Sequence, residues 1–194
     1  MKKLILSAIF CFCLVGLSEN AVFAQTQFYK VLATKKTSTM EKELNEASSA
    51  GFRYEGVTGG QTSFGGSEVL VIMSKPENSN WNGRYQYKLL ATSRTSTMQK
   101  EMQEAGNQGF EYKGQTVFNT TFGGDEVVVI LERDTQLEIV RYEYKLLATS
   151  KTSTMQKELT EAGDQGFQYV GVTVGKTAVG GSEVVVILRR GVRP

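Results

Sequence analysis

One sequence pattern occurs three times along this chain, and the repetition constrains the fold more than any feature of composition. The run Tyr-Lys-[Val/Leu]-Leu-Ala-Thr begins at Tyr29, Tyr87 and Tyr144. Each copy continues with Thr-Ser-Thr-Met, a Gly-Phe pair and a Gly-Gly pair, without insertion or deletion between the copies. The spacing therefore predicts three small units joined by short linkers: residues 25–75, 84–133 and 141–190.

Each unit has the pattern of a strand, a helix and two further strands. Apolar residues alternate through Tyr142–Thr149, which is typical of a strand. The glycines at 51, 109 and 166 are placed to end a helix in the left-handed conformation. Between strand and glycine, apolar residues follow helical spacing: Met40, Leu44 and Ala47, then Met98, Met102 and Ala105, then Met155, Leu159 and Ala162.

The last strand of each unit has a different pattern. Val69–Met73, Val127–Leu131 and Val184–Leu188 are continuous apolar runs, which are typical of strands covered on both faces. One helix covers only one face, so a neighbouring repeat or another chain must cover the other. A unit of roughly 50 residues without disulfide or metal also has a marginal core. We therefore predict an α+β fold, three tandem β-α-β-β repeats packed into one pseudo-symmetric body.

These motifs resemble a known bacterial family. The Tyr-Lys-[Val/Leu]-Leu strand, the helix with Glu-Ala, the Gly-Phe-x-Tyr segment and the valine-rich last strand are similar to the domain of unknown function family 4177. The resemblance covers all three units. It implies a small β-α-β-β domain and carries no activity or site residues.

The amino terminus has the pattern of a secretory signal peptide. Lys2 and Lys3 precede the apolar run Leu4–Leu17, and Val22–Ala24 offers small residues for cleavage. We expect residues 1–24 to be removed after Ala24, which predicts a secreted or periplasmic protein. Both cysteines of the chain lie in this leader, and no later stretch is apolar enough to span a membrane.

Composition argues against most catalytic classes. The chain has no histidine, and the predicted mature part has no cysteine, so Ser-His, Cys-His and His/Cys zinc sites are absent. The formal net charge of +2 gives no bias toward nucleic acid. We expect a non-enzymatic interaction or scaffold protein without metal or cofactor. Its expected partner is an unidentified protein or envelope polymer, and the sequence leaves its oligomeric state open.

The stretch FGGDEVVVI at Phe122–Ile130 resembles the Gly-Gly-Asp-Glu-Phe motif of enzymes that condense GTP into a cyclic dinucleotide. The corresponding positions in the other copies read Gly-Gly-Ser-Glu, and each unit is far shorter than such an enzyme domain. The stretch is therefore predicted to be a hairpin turn leading into a strand.

The predicted helix starts are the candidate binding sites. Each combines a cation, three hydroxyls and free backbone N–H groups, which attract anions. The alternative is ordinary capping, with Ser38 and Glu41 and their counterparts forming a capping box. The candidate residues are Lys36, Thr37, Ser38 and Thr39 in the first copy, Arg94, Thr95, Ser96 and Thr97 in the second, and Lys151, Thr152, Ser153 and Thr154 in the third.

Aromatic residues allow a third interpretation. They could form a platform for sugars or a partner, or they could belong to the core and to contacts between repeats. The residues concerned are Phe64, Trp81, Tyr85, Tyr87, Phe122, Tyr142 and Tyr144.

Overall fold

The fold is α+β and contains three successive units, each with one helix and a three-stranded antiparallel sheet. The computed structural model describes residues 26–62, 66–119, 124–176 and 181–192. The predicted signal peptide lies outside these ranges, as do Phe64, Phe122 and the first glycine of each Gly-Gly pair. The predicted fold class and repeat order are confirmed.

The elements follow the chain in the predicted order. Repeat 1 contains β1 (Gln27–Thr34), α1 (Thr37–Ser49), β2 (Arg53–Thr62) and β3 (Gly66–Pro76). Repeat 2 contains β4 (Tyr85–Thr92), α2 (Thr95–Asn107), β5 (Glu111–Asn119) and β6 (Asp125–Asp134). Repeat 3 contains β7 (Arg141–Thr149), α3 (Thr152–Asp164), β8 (Gln168–Lys176) and β9 (Ser182–Val192).

The last strand of each repeat lies in the middle of its sheet, so that the strand orders are β1-β3-β2, β4-β6-β5 and β7-β9-β8. The valine-rich runs are therefore the central strands, while β1, β4 and β7 are edge strands. β5 pairs antiparallel with β6, with Asn119 opposite Asp125. Two consecutive antiparallel strands agree with the predicted hairpin, and Asp125 begins a strand, but the predicted turn itself, with Phe122 and Gly123, lies outside the described residues.

Each helix ends at the predicted glycine. Gly51 has a φ of +90° and follows the last turn of α1. The backbone N–H of Phe52 donates to the carbonyl of Ala47 at 3.1 Å, and that of Gly51 donates to Ser48 at 2.9 Å. This pair of bonds is the Schellman arrangement, and the other two helices repeat it at Gly109 and Gly166.

The predicted capping box is wrong. The N-cap of α1 is Lys36, without a side-chain capping bond, so Ser38 already lies inside the first turn. Instead, the Thr34 hydroxyl accepts a hydrogen bond from the backbone N–H of Lys36 at 3.2 Å. The same threonine turn precedes the other two helices, and Glu41 is engaged elsewhere, as described below.

The predicted helix stripes face the central strands. Met40, Leu44 and Ala47 of α1 are fully buried in one cluster with residues of β3. In α3, by contrast, only Ala162 is buried, while Met155 and Leu159 remain partly exposed. The apolar residues of α1 and α2 lie in clusters that include residues of the next repeat, whereas those of α3 do not.

The central strands of repeats 2 and 3 are covered on both faces. In β6, Val129 packs with α2, whereas Ile130 points the other way into the core cluster of repeat 1. In β9, Ile187 packs in the same way into the cluster of repeat 2. The prediction that sister repeats shield these strands is confirmed for repeats 2 and 3. On the corresponding face of β3, Leu70 and Ile72 are only partly buried.

Candidate functional site

The predicted anion-binding residues lie at the starts of the three helices, where they are exposed or half-buried. Each group belongs to a different repeat. At the start of α2, the Thr95 hydroxyl donates to a carboxylate oxygen of Glu183 at 2.7 Å. An internal carboxylate from repeat 3 therefore bonds one hydroxyl of the second predicted anion site.

Two junctions hold the repeats together, and a buried tyrosine lies at the centre of each. The Tyr87 hydroxyl donates to Glu132 at 2.7 Å and accepts from the backbone N–H of Tyr54 at 2.9 Å. At the second junction, the Tyr144 hydroxyl donates to the Phe110 carbonyl at 2.9 Å. Both tyrosines are 3% exposed. For this pair, the core interpretation of the aromatic residues is correct.

Each of the first two helices covers one of the two edge strands of the next sheet, β4 for α1 and β7 for α2. Asn45 of α1 donates to the Tyr87 carbonyl at 3.0 Å and accepts from the Tyr87 N–H at 2.9 Å. Glu41 accepts from the Leu89 N–H at 2.8 Å, and Ser48 donates to the Tyr85 carbonyl. These side chains satisfy backbone groups that an edge strand otherwise leaves unpaired.

The second junction repeats this arrangement with glutamines. Gln99 donates to the Tyr144 carbonyl at 2.8 Å and accepts from the Leu146 N–H at 2.7 Å. Gln103 accepts from the Tyr144 N–H at 3.0 Å and donates to the Tyr142 carbonyl. Polar residues on the outer face of a helix thus hold the next repeat in register.

A chain of ion pairs runs through all three repeats. Arg53 of repeat 1 lies 2.8 Å from Glu132 of repeat 2, and the Glu132 side chain is only 3% exposed. The guanidinium of Arg53 also stacks on the ring of Tyr85. Lys113 bridges Glu132 at 3.3 Å and Glu111 at 3.1 Å. A third cation, Arg189 of repeat 3, completes the chain by binding Glu111 at 2.5 Å.

Each of the two carboxylates, Glu111 and Glu132, is paired with two cationic side chains. Burial alone would raise the pKa of Glu111, but Lys113 and Arg189 together hold it below its ordinary value. A groove of about 130 Å³ beside the chain of ion pairs is lined in part by the linker residues Leu137 and Ile139. Within the described ranges, no group of three or more acidic, histidine or cysteine residues could hold a metal ion. The arrangement suits a structural link rather than acid–base chemistry.

Sequence reasoning missed this chain of ion pairs. Strands and linkers were predicted one copy at a time, whereas Arg53 of β2 and Glu132 of β6 belong to different repeats. The available signal was a change of residue type between copies. The position of Glu132 carries Ser74 in repeat 1 and Arg189 in repeat 3, so each repeat presents a different charge there.

Exposed large apolar side chains of the repeats are concentrated at the two ends of the stack. The first end face is the outer side of the repeat 1 sheet, where Tyr29 is 68% and Val31 57% exposed. The second end face is the helix side of the repeat 3 sheet. Its exposed residues are Tyr169, Val172, Val174 and Val184.

Comparisons with known proteins identify no relative. No family model matches the chain, and neither the curated proteins nor the solved structures contain a match. Among the helices that the structure describes, none has the length and apolar character needed to cross a membrane.

Proposed function

We propose that this protein is a secreted or periplasmic, non-catalytic scaffold that binds a partner through its end faces. The exposure of Tyr29 carries the proposal, because Tyr87 and Tyr144 at the same position are buried in junctions. The first end face is thus equivalent to the surfaces that bind a neighbouring repeat inside the chain, but it is exposed and can bind a separate partner molecule. The partner is a protein or an envelope polymer. The likeness to family 4177 remains a prediction and adds no activity.

A capture experiment tests this proposal. The chain from Gln25 to Pro194 is immobilised as wild type, as Val31→Asp and as Leu137→Asp, and exposed to envelope and secreted fractions of the source organism. Leu137 is a matched control, because it is 63% exposed but lies in a linker. We expect the wild type and the control to retain a component that Val31→Asp loses. Equal retention by all three, or hydrolysis of a substrate panel by the wild type, would contradict the proposal.

The proposed compartment has its own test. Expression of the full chain in its source should yield a secreted or periplasmic species whose mass corresponds to a start at Gln25. Retention of residues 1–24 in the cytoplasm would refute this part of the proposal.

A second candidate function is binding of a small anion or acidic glycan at the helix starts. It is supported by the hydrogen bond from the Thr95 hydroxyl to the Glu183 carboxylate, and by the open hollow of about 260 Å³ beside Lys151 and Thr152. Millimolar sulfate or phosphate should then raise the melting temperature, and Lys151→Ala with Ser153→Ala should remove the rise. No shift with either anion would eliminate this candidate.

A further inference from the structure

We infer that the partner of each end face is the opposite end face of a second copy of this chain, so that copies associate head to tail. The inference rests on the proposed scaffold function and names its partner. Both internal junctions have the same construction. The helix and the helix side of the sheet in one repeat pack against the outer side of the sheet and the first strand of the next repeat. The third repeat and the first repeat carry the two unpaired halves of that construction.

A tyrosine and a glycine show the match most directly. Tyr54 of repeat 1 reaches Gly114 of repeat 2, where an added Cβ would lie 2.2 Å from its hydroxyl. Tyr112 reaches Gly171 in the same way, at 2.3 Å. The next tyrosine in the series, Tyr169, is 61% exposed.

The glycine that precedes this series is equally unpaired. No described atom lies within 4 Å of the position that a Cβ would occupy at Gly56. A bulge in β2 places Gly56 opposite Ile72, as the same bulge places Gly114 and Gly171 in their strands. The second end face therefore carries the exposed tyrosine Tyr169. The first end face carries Gly56, whose open surface corresponds to the glycines that Tyr54 and Tyr112 contact inside the chain.

At the two ends of the stack, α3 and the edge strand β1 also lack the partner that the corresponding elements have inside the chain. Gln156 of α3 occupies the position of Gln99 and is exposed, and the Tyr29 backbone occupies the position of Tyr144. Gly106 of α2 would place a Cβ 2.3 Å from the Tyr142 carbonyl, whereas Gly163 of α3 has no described atom within 4 Å. A second copy would place its β1 against α3, and Gln156 could then bond the Tyr29 carbonyl.

One position makes the contact between copies weaker than the internal junctions. Gln103 both donates to and accepts from the next repeat, but its counterpart Thr160 binds the Gln156 carbonyl of its own helix. The association therefore lacks the two hydrogen bonds that Gln103 makes at the second junction. It should be reversible.

A surface hollow identifies where the second copy would lie. Beside α2, Gly175 of repeat 3 lies against Thr95 and Met98, so that no space for a water molecule remains there. Beside α3, the corresponding residues Thr152 and Met155 border an open hollow of about 260 Å³. The counterpart of Gly175 in repeat 1 is Gly60, which has no described atom near its Cβ position.

Charge matching permits the head-to-tail contact. At the first junction an arginine of β2 faces a glutamate of β6, and at the second a glutamate of β5 faces an arginine of β9. The corresponding pair between copies is Gln168 of β8 and Ser74 of β3. Ser74 is fully buried and donates to the exposed carboxylate of Glu55, so Gln168 of one copy would lie beside that carboxylate in the other. A neutral amide beside a carboxylate brings no like charges together, and the amide N–H can donate to the carboxylate.

The two faces differ, so the contact is heterologous and does not limit itself to a dimer. Its test is the oligomeric state of the Gln25–Pro194 chain by sedimentation and light scattering over a range of concentrations. We expect a concentration-dependent series of species for the wild type and for Leu137→Asp. Val31→Asp at the first end face and Tyr169→Asp at the second should each be monomeric, with unchanged circular dichroism.

Mixing the two monomeric variants gives the decisive measurement. Val31→Asp keeps an intact second end face and Tyr169→Asp an intact first end face, so the mixture should form a one-to-one dimer and no larger species. A monomeric wild type at all concentrations would overturn the inference, as would self-association unaffected by both variants or no dimer in the mixture. If Val31→Asp still abolishes capture of another component while the wild type is monomeric, the scaffold proposal stands and this inference falls.

Discussion

At the residue scale, identical side chains have different surroundings because they belong to successive copies. Tyr29, Tyr87 and Tyr144 occupy the same position in three strands, yet only the latter two are buried in a junction. Each repeat therefore supplies a control for the others. A mutation at a junction can be compared with the same mutation at an end face, in a chain of the same composition.

Removing the Tyr87 hydroxyl tests the first junction. Tyr87→Phe removes one hydrogen bond from the buried Glu132, which keeps Arg53 and Lys113, and leaves the Tyr54 N–H without its partner. We therefore expect the free energy of unfolding to fall by about 1–3 kcal/mol. Tyr29→Phe should leave it unchanged in dilute protein. Urea unfolding measures both, and equal effects at the two positions would show that the buried hydrogen bonds contribute nothing.

Burial of tyrosines should make the fold sensitive to high pH. Burial raises the pKa of Tyr54 to about 12, above the value of roughly 10 for an unfolded tyrosine. Burial and the nearby Glu132 also raise the pKa of Tyr87. A raised pKa means that the folded state favours the neutral tyrosine. The resulting contribution to the free energy of unfolding is complete below about pH 10 and is lost as the pH rises through the folded pKa near 12.

Denaturant unfolding at a series of pH values checks this expectation. The free energy of unfolding should fall steeply between about pH 10 and pH 12. Tyr54→Phe should make the fall shallower, since Phe cannot ionise. A profile identical to that of the wild type would mean that Tyr54 does not contribute to the loss.

At the element scale, each helix has two tasks. Its apolar stripe covers its own sheet, and its outer polar face pairs with the edge strand of the next repeat. In α2, Gln99 and Gln103 perform the second task, whereas in α3 Gln156 has no strand beside it among the described residues. The edge strands β4 and β7 are thereby protected from pairing with other chains, while β1 is not.

Replacing one glutamine separates the two tasks. Gln99→Ala leaves the Tyr144 carbonyl and the Leu146 N–H without their partner, and we expect a loss of about 1–3 kcal/mol in the free energy of unfolding. Gln156→Ala should not change the stability of the dilute monomer, but it should weaken head-to-tail association. Thermal and urea unfolding distinguish the variants, and a Gln156→Ala loss as large as that of Gln99→Ala would contradict the assignment.

At the scale of the whole molecule, the core does not divide at the repeat boundaries. Ile130 of repeat 2 belongs to the cluster around α1, and Ile187 of repeat 3 belongs to the cluster around α2. The stability of each repeat therefore depends on its neighbour, as in other repeat arrays. The unpaired faces at the two ends are the consequence of this one-directional stacking.

Conservative truncation of these isoleucines should act on the preceding repeat. We expect Ile130→Val to cost about 0.5–1.5 kcal/mol and to accelerate amide hydrogen exchange mainly in α1, and Ile187→Val to do so mainly in α2. Ile72→Val, at the same position on the partly exposed first end face, should have little effect. Faster exchange confined to the mutated repeat in both cases would refute the coupling.

The local pattern alone determined the repeat, the element order and the glycine-terminated helices. Left-handed glycines, helical stripes and continuous valine runs depend on neighbours in sequence, so one copy is enough to infer them. The same pattern suggested a capping box, which is wrong: the N-caps are Lys36, Arg94 and Lys151, and the side chains of Glu41 and Gln99 bond the next repeat instead.

Only the tertiary structure decided which faces of the repeats are paired. The chain of ion pairs from Arg53 to Arg189 joins residues from different repeats, and nothing within one copy indicates its partner. Likewise, Tyr29 and Tyr87 are indistinguishable in their own motifs. Their burial depends on whether another repeat lies beside them, and that is a property of the stack rather than of the local sequence.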